Sequence, residues 1–254
     1  MLPRARKRFG QHFLTDAHYL SRIVAAIDPK PRDSMVEIGP GTGILTAPLA
    51  SVVETLDVIE IDRDLAAALR RSFPAGNVVV HEADALDFDF TGLAPPLRVV
   101  GNLPYNVSTP ILFRMAELAE RIRDCTFMLQ REVVERMVAA PDTPDYGRLS
   151  VMLQYRFEME MLVKVPPGAF TPPPKVDSAV VRMVPLGADR LRARDEALFA
   201  KIVAAAFSQR RKMLRGATKH VIPPEAIEKS KIDPSRRGET LSFREFVALS
   251  DAAG

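Results

Sequence analysis

Along the first half of the chain, short apolar runs alternate with stretches of helical period. Leu20, Ile23, Val24 and Ile27 fall at helical spacing behind Thr15, a residue suited to cap a helix start, and Pro29 and Pro31 close that segment. Met35–Ile38 is a brief apolar run that enters the loop Gly39-Pro40-Gly41-Thr42-Gly43, and a helical stretch with Leu45 and Leu49 follows. Leu56–Ile61 predicts a second strand, and Leu65, Leu69 and Phe73 mark one face of the next helix. Asn77–His81, Leu97–Gly101 and Thr126–Leu129 predict three further strands, with a helix over Pro110–Ala119 between the last two. Strands interleaved with helices at this spacing imply an open, mostly parallel α/β sheet covered on both faces.

The pattern changes after Tyr146. A helical piece with Leu149, Met152 and Leu153 leads into two runs of strand character, Glu158–Val165 and Ala179–Val184. Pro166-Pro167 and Pro172-Pro173-Pro174 lie between them, so an antiparallel hairpin with a long, stiff loop is expected to close the sheet edge. From about Gly187 onward the reading is helical, ending in a capping box at Ser242-Phe243-Arg244-Glu245 ahead of Phe246, Val247 and Leu249. The expected organisation is a catalytic α/β domain over 1–186 and a small all-helical domain over 187–254.

Composition narrows the class. The chain has 254 residues, 47% of them hydrophobic and 26% charged, as a soluble globular protein would. The net charge of +3 is small, but two segments are basic without interruption by acids: Arg4, Arg6, Lys7 and Arg8, and then Arg210, Arg211, Lys212, Arg215 and Lys219. Such clusters on a nearly neutral chain fit a local polyanion contact; solvated charge on a helix face is the plainer alternative. The single cysteine, Cys125, rules out an intrachain disulfide and zinc clusters. His12, His18, His81 and His220 lack ligand spacing, so no metal is expected. No apolar run approaches the roughly 18 residues of a membrane span, and no apolar signal core follows the basic start. A cytoplasmic protein without a membrane partner is therefore expected, and nothing points beyond a monomer.

Candidate chemistry begins at the glycine loop. Glycines such as Gly39 and Gly41 between a strand and a helix allow a sharp turn and close approach of a ligand to the backbone. Glu60 ends the next strand about twenty residues on, where an acid accepts hydrogen bonds from a ribose diol. Asp84, after the third strand, is placed to accept a bond from an adenine amine. The spacing is G-x-G-x-G, not the G-x-G-x-x-G that cradles a pyrophosphate, which suits S-adenosylmethionine better than a dinucleotide. On these residues alone a nicotinamide dehydrogenase remains open.

Asn102-Leu103-Pro104-Tyr105, directly after the fourth strand, tips the balance. An aromatic amine is a poor nucleophile because its lone pair is delocalised into the ring. The Asn102 amide oxygen and the Leu103 carbonyl can accept its two N–H groups, favouring a pyramidal nitrogen with its lone pair aimed at a methyl donor. Pro104 fixes the turn, and Tyr105 offers a face for an extruded base, worth roughly 1–3 kcal/mol. Alignment and preorganised polar groups carry such a rate, without a strong base. A polar turn with a packing tyrosine is the alternative for the motif in isolation.

Over nearly its whole length the chain resembles the KsgA/RsmA family of ribosomal RNA small-subunit adenine N6,N6-dimethyltransferases. The segments that carry the resemblance are RKRFGQHFL (6–14), VEIGPGTG (36–43), VIEID (58–62), GNLPYNVSTP (101–110), YGRLSV (146–151), FTPPPKVDSAVVR (170–182) and FSQRRKMLR (207–215). The resemblance implies a Rossmann-like class I methyltransferase sheet with an antiparallel edge hairpin and a helical C-terminal domain that binds RNA. It implies that His12, Leu14, Gly39, Glu60, Asp84 and Asn102 contact the methyl donor; His12 stands where the family often has asparagine but keeps a hydrogen-bonding group. It implies that Phe170 faces the target adenine opposite Tyr105, and that Arg6, Lys7, Arg8, Arg210, Arg211, Lys212 and Arg215 grip RNA phosphates. The implied substrate is a pair of adjacent adenosines in the 3′-terminal hairpin loop of small-subunit ribosomal RNA, within the pre-ribosomal 30S subunit. Two other readings stay beside it: a large-subunit adenine methyltransferase of the antibiotic-resistance type, and an assembly factor that binds RNA without methylating it.

Overall fold

The computed structural model of the chain describes residues 12–74, 76–209 and 211–254. It divides into two compact units, Met1–Val134 with Met159–Pro185, and Glu135–Glu158 with Leu186–Gly254. The helical unit thus takes in 135–158 as well as the C-terminal segment, whereas the sequence suggested one cut at 186. The reason lies in packing: Tyr146, Val151 and Tyr155 join Phe199, Ile202, Leu214 and Phe246 in a single apolar core.

The first unit is built on a sheet whose strands are β2 (Ser34–Ile38), β3 (Leu56–Glu60), β4 (Val78–Glu82), β5 (Leu97–Asn102), β6 (Ile122–Gln130), β7 (Phe157–Val165) and β9 (Ser178–Pro185). Their order across the sheet is β4-β3-β2-β5-β6-β9-β7. Strands β2 to β6 pair in parallel, and β9 runs antiparallel to β6 from Cys125↔Met183 to Gln130↔Ser178. The parallel strands are buried on both faces: Val36, Val58, Val99, Val100, Phe127 and Leu129 are all wholly inaccessible. Sandwiching between helices explains why they read as continuous apolar runs and not as alternating ones. The helices of this layer are α1 (Ala17–Ile27), α2 (Thr46–Ala50), α3 (Arg63–Ser72) and α4 (Ser108–Glu117), and α5 (Arg131–Val138) follows β6 in the chain.

The start of α1 departs from the sequence expectation. Asp16, not Thr15, is the N-cap, its carboxylate accepting from the His18 and Tyr19 N–H groups. Thr15 is engaged elsewhere, its backbone N–H and hydroxyl both donating to the Ala169 carbonyl at 2.8 and 3.3 Å. That contact belongs to a two-residue ladder that the sequence did not suggest, in which β1 (Phe13–Leu14) pairs antiparallel with β8 (Phe170–Thr171).

From β2 the chain winds outward through β3 and β4, then returns to the other side of β2 with β5. The winding reverses between β2 and β5, and outside the carboxyl ends of such strands lies the usual ligand position in open α/β sheets. At those ends the two strands come very close. A Cβ on Gly101 would stand 2.4 Å from the Ile38 carbonyl oxygen, so only glycine fits.

At the opposite end of β5, Arg98 ties the sheet to α1. Its Nε donates to both Asp124 oxygens at 3.1 Å, Nη1 to Asp33 at 2.6 Å and to the Asp28 carbonyl at 3.1 Å, and Nη2 to the Ile27 carbonyl at 2.5 Å. Burial pushes the Asp33 carboxyl up, but the Arg98 guanidinium and the Lys30 N–H together hold it below the ordinary carboxylate range.

In the helical unit, α6 (Arg148–Gln154) packs with α7 (Glu196–Ser208), α8 (Leu214–Thr218), α9 (Pro224–Lys229) and α10 (Phe243–Ala253). Asp195 caps α7 through the Leu198 N–H, and the expected capping box forms at α10, where Ser242 and Glu245 exchange bonds. Among the described residues no helix is long and apolar enough to cross a membrane.

Candidate active site

The crevice at the sheet's switch point opens into a cavity lined by the glycine loop, the ends of β3 and β5, and the β1 segment. Gly39 and Gly41 take φ of 68° and 57°, left-handed values that bring the loop's backbone to the cavity wall. Glu60 braces this loop from β3. One carboxylate oxygen accepts from the Gly41 N–H at 3.1 Å and the other from the Asp62 N–H at 2.9 Å. Asp84 lies on the same wall, one oxygen accepting from the Leu86 N–H at 2.9 Å.

A third carboxyl lines the cavity that the sequence reading passed over. Glu37 is 1% exposed, with the Thr46 hydroxyl donating to it at 2.7 Å. Its pKa is pushed up to about 8: burial is the largest cause, the Thr46 bond opposes it in part, and the charge of Glu60 adds to it. Burial likewise raises Glu60, against the N–H bonds from Asp62 and Gly41. A charged residue inside the apolar run Met35–Ile38 was the available signal for Glu37. Thr126 and Met128 of β6 and Val180 of β9 also line the cavity, and no local pattern separated them from other buried strand residues.

The 102–105 turn forms the facing wall. The Leu103 N–H donates to the Met128 carbonyl at 3.1 Å, which seats the turn on β6, and the Val107 N–H donates to the Pro104 carbonyl at 3.1 Å. The Asn102 Nδ2 donates to the His12 carbonyl at 3.0 Å. That bond commits the nitrogen side of the amide and leaves Oδ1 as its free acceptor. His12 is itself fixed by a 2.8 Å contact between Nδ1 and the Pro172 carbonyl, and its ring stacks on Tyr105 with centroids 5.7 Å apart. The Tyr105 hydroxyl lies 2.7 Å from the Ser178 Oγ.

The structure therefore brings His12, Leu14, Gly39, Gly41, Glu60, Asp84, Asn102, Leu103, Pro104 and Tyr105 around one cavity. Phe170 pairs with Leu14 of the cavity wall, is 3% exposed in the apolar cluster of the α/β unit, and is not itself among the lining residues. Arg211, Lys212 and Arg215 are exposed on the helical unit, where Met213 bridges to Arg237. Arg6, Lys7, Arg8 and Arg210 lie outside the described residues.

The set of donors and acceptors around the cavity is itself informative. Three carboxyls line it, and no lysine or arginine does among the described residues. A pyrophosphate would find no cationic side chain there among the described residues, while hydroxyls and an amine would be well received. The lining gives the dehydrogenase reading no support.

Comparison with known proteins agrees with this geometry. A family model described as ribosomal RNA adenine dimethylase matches residues 3–253. The chain is 56% identical over 248 residues to the ribosomal RNA small subunit methyltransferase A of Aromatoleum aromaticum, covering 98% of this chain and 94% of that protein. It is 56% identical over 246 residues to the protein of the same name from Nitrosospira multiformis, covering 97% and 95%. Among solved structures it is similar to a dimethyladenosine transferase from Plasmodium falciparum, at 25% identity and TM-score 0.82 over 94% of this chain and 96% of that one. It is also similar to the 23S rRNA methyltransferase ErmE, at 27% identity and TM-score 0.71 over 95% and 99%. Carboxyl-lined crevice, asparagine turn and whole-length match converge: the chain is a class I methyltransferase and belongs to the ribosomal RNA adenine dimethylase family.

Proposed function

We propose that the chain transfers methyl groups from S-adenosylmethionine to N6 of two adjacent adenosines in the 3′-terminal hairpin loop of small-subunit ribosomal RNA, two to each base. The observation that carries this reading is the Asn102 amide, whose nitrogen is held by the His12 carbonyl so that its oxygen is left to receive an N–H. S-adenosylmethionine supplies a methyl group on a sulfonium. Glu60 takes the ribose hydroxyls, Asp84 the adenine amine, and His12 and Leu14 the amino-acid end. Gly39 and Gly41 keep the loop free of side chains. The Asn102 oxygen and the Leu103 carbonyl accept the two N–H groups of the target amine, and Tyr105 carries the base. The N–C bond would form as the C–S bond of the sulfonium breaks to a neutral thioether; the nitrogen, now cationic and strongly acidic, would lose its proton to water, so no strong base is needed at any atom.

Bases in a hairpin loop are partly unstacked already, which lowers the cost of drawing one into the crevice. Arg6, Lys7, Arg8, Arg210, Arg211, Lys212 and Arg215 are the proposed phosphate grips. With that many contacts, affinity for small subunits is expected to fall about 10³-fold between 50 and 200 mM salt in filter binding. A fall of less than tenfold would remove the basic segments from the interface. The same reading makes the protein a monomer of the cytoplasm that acts on the pre-ribosomal 30S subunit during assembly.

The direct test is to incubate the protein with labelled methyl donor and, in parallel, unmethylated small subunits and unmethylated large subunits, then map the modified nucleotides. Two neighbouring dimethylated adenosines near the 3′ end are expected. Label in large-subunit RNA would move the protein toward the ErmE-like activity, and binding with no label would leave an assembly factor.

A further inference from the structure

Tyr105 lies on a turn, and nothing in the turn's backbone fixes the plane of its ring, which has two free side-chain torsions. Two contacts from elsewhere in the α/β unit do so. The His12 ring lies against one face of the phenol, and the Ser178 Oγ is 2.7 Å from its hydroxyl. Ser178 differs in kind from His12. It is fully buried, opens β9 and is held in register opposite Gln130 of β6. The residue before it is anchored too, because the Asp177 carbonyl accepts from the Arg131 N–H at 2.9 Å. The tether's far end is therefore fixed by the sheet, while the ring it holds is half-buried at the cavity.

We propose that Ser178 is a positioning residue of the base site: its hydroxyl, fixed by the start of β9, holds the Tyr105 ring in its stacking pose before RNA arrives. A platform set in advance spares the complex the cost of ordering it on binding. This rests on the function proposed above, in which Tyr105 receives the extruded adenine. A purely structural serine would affect stability and leave substrate recognition alone.

A double-mutant cycle separates the two. Tyr105→Phe and Ser178→Ala each remove one end of the same bond, and neither takes away the aromatic ring. Each single variant and the double variant are expected to raise KM for small subunits by about the same tenfold, because a bond broken once cannot be broken again. Donor affinity by calorimetry is expected to stay within twofold throughout. Unchanged KM in the singles, or a double variant whose effect is the product of the two, would overturn the proposal. If Ser178→Ala lost donor binding through misfolding, Tyr105→Phe alone would decide, raised KM supporting the tether and unchanged KM overturning it. Failure of the unmodified protein to methylate small subunits would instead sink the proposed function.

Discussion

Asn102→Ala is expected to lower methyl transfer by about 10²–10³-fold, the loss seen when a preorganised polar group at a reaction centre is removed. Two things go at once. The acceptor that would draw the amine out of conjugation is deleted, and so is the 3.0 Å bond that ties the turn to His12. Asn102→Asp separates them: it keeps an acceptor oxygen but turns a carboxylate toward the His12 carbonyl in place of an N–H. That variant should fall between wild type and alanine. Single-turnover transfer from labelled donor measures the rate, and filter binding should give RNA affinity within twofold of wild type, since the phosphate grips lie elsewhere. Activity of Asn102→Ala within tenfold of wild type would remove the amide from the chemistry.

The largest effect on stability is expected from Arg98→Met. The guanidinium is bonded to two carboxylates, and the side chains of Arg98, Asp33 and Asp124 are 5%, 5% and 3% exposed. Methionine fills much of the volume but leaves Asp33 only the largely exposed Arg123, at 3.1 Å, and Asp124 only the half-exposed Arg182, at 3.5 Å; removing one partner of a buried pair costs about 3–5 kcal/mol, and these remaining contacts place the expected loss at about 3 kcal/mol. The pH dependence has a definite sign. Because Asp33 is held below its ordinary value in the folded chain, it contributes stability at neutral pH that is lost as pH falls below about 4. Without Arg98, burial of Asp33 is opposed by less, so the variant should begin to lose stability at higher pH than wild type. The chain has no tryptophan, so urea unfolding is best followed by far-ultraviolet circular dichroism at several pH values. A cost under 1 kcal/mol at pH 7 would mean that the network does not hold β5 to α1.

Much of the α/β unit was legible in the chain because burial on both faces writes each parallel strand as a compact apolar run. Leu56–Ile61 and Leu97–Gly101 agree with the observed strands to within a residue. The site followed from order: a glycine loop after one strand, an acid at the end of the next, an asparagine turn after another. What local pattern could not give was anything made by pairing distant segments. The β1–β8 ladder has two residues on each side, too short for any periodicity, and its formation redirects Thr15 from capping to the Ala169 carbonyl. The same pairing sets Phe170 beside Leu14 in the apolar cluster, a neighbour its motif alone could not name. Ser178 was visible only as part of a motif, because its role depends on a tyrosine 73 residues away. The helical unit was recognisable from Gly187 onward, but its share of 135–158 depends on Tyr146 and Tyr155, which look like ordinary aromatic residues until the core is assembled.

The position of β9 bears on how the chain matures during synthesis. It is the last strand made, yet it lies between β6 and β7, which are both completed earlier. Until residue 185 has emerged, β6 presents an unpaired edge and β7 has no neighbour to dock on, so the nascent sheet carries an open side that invites wrong partners. The same delay applies to the roof over the crevice, because β1 waits for β8. A chain cut short before this point would hold the glycine loop and the asparagine turn and still be an inert, association-prone fragment.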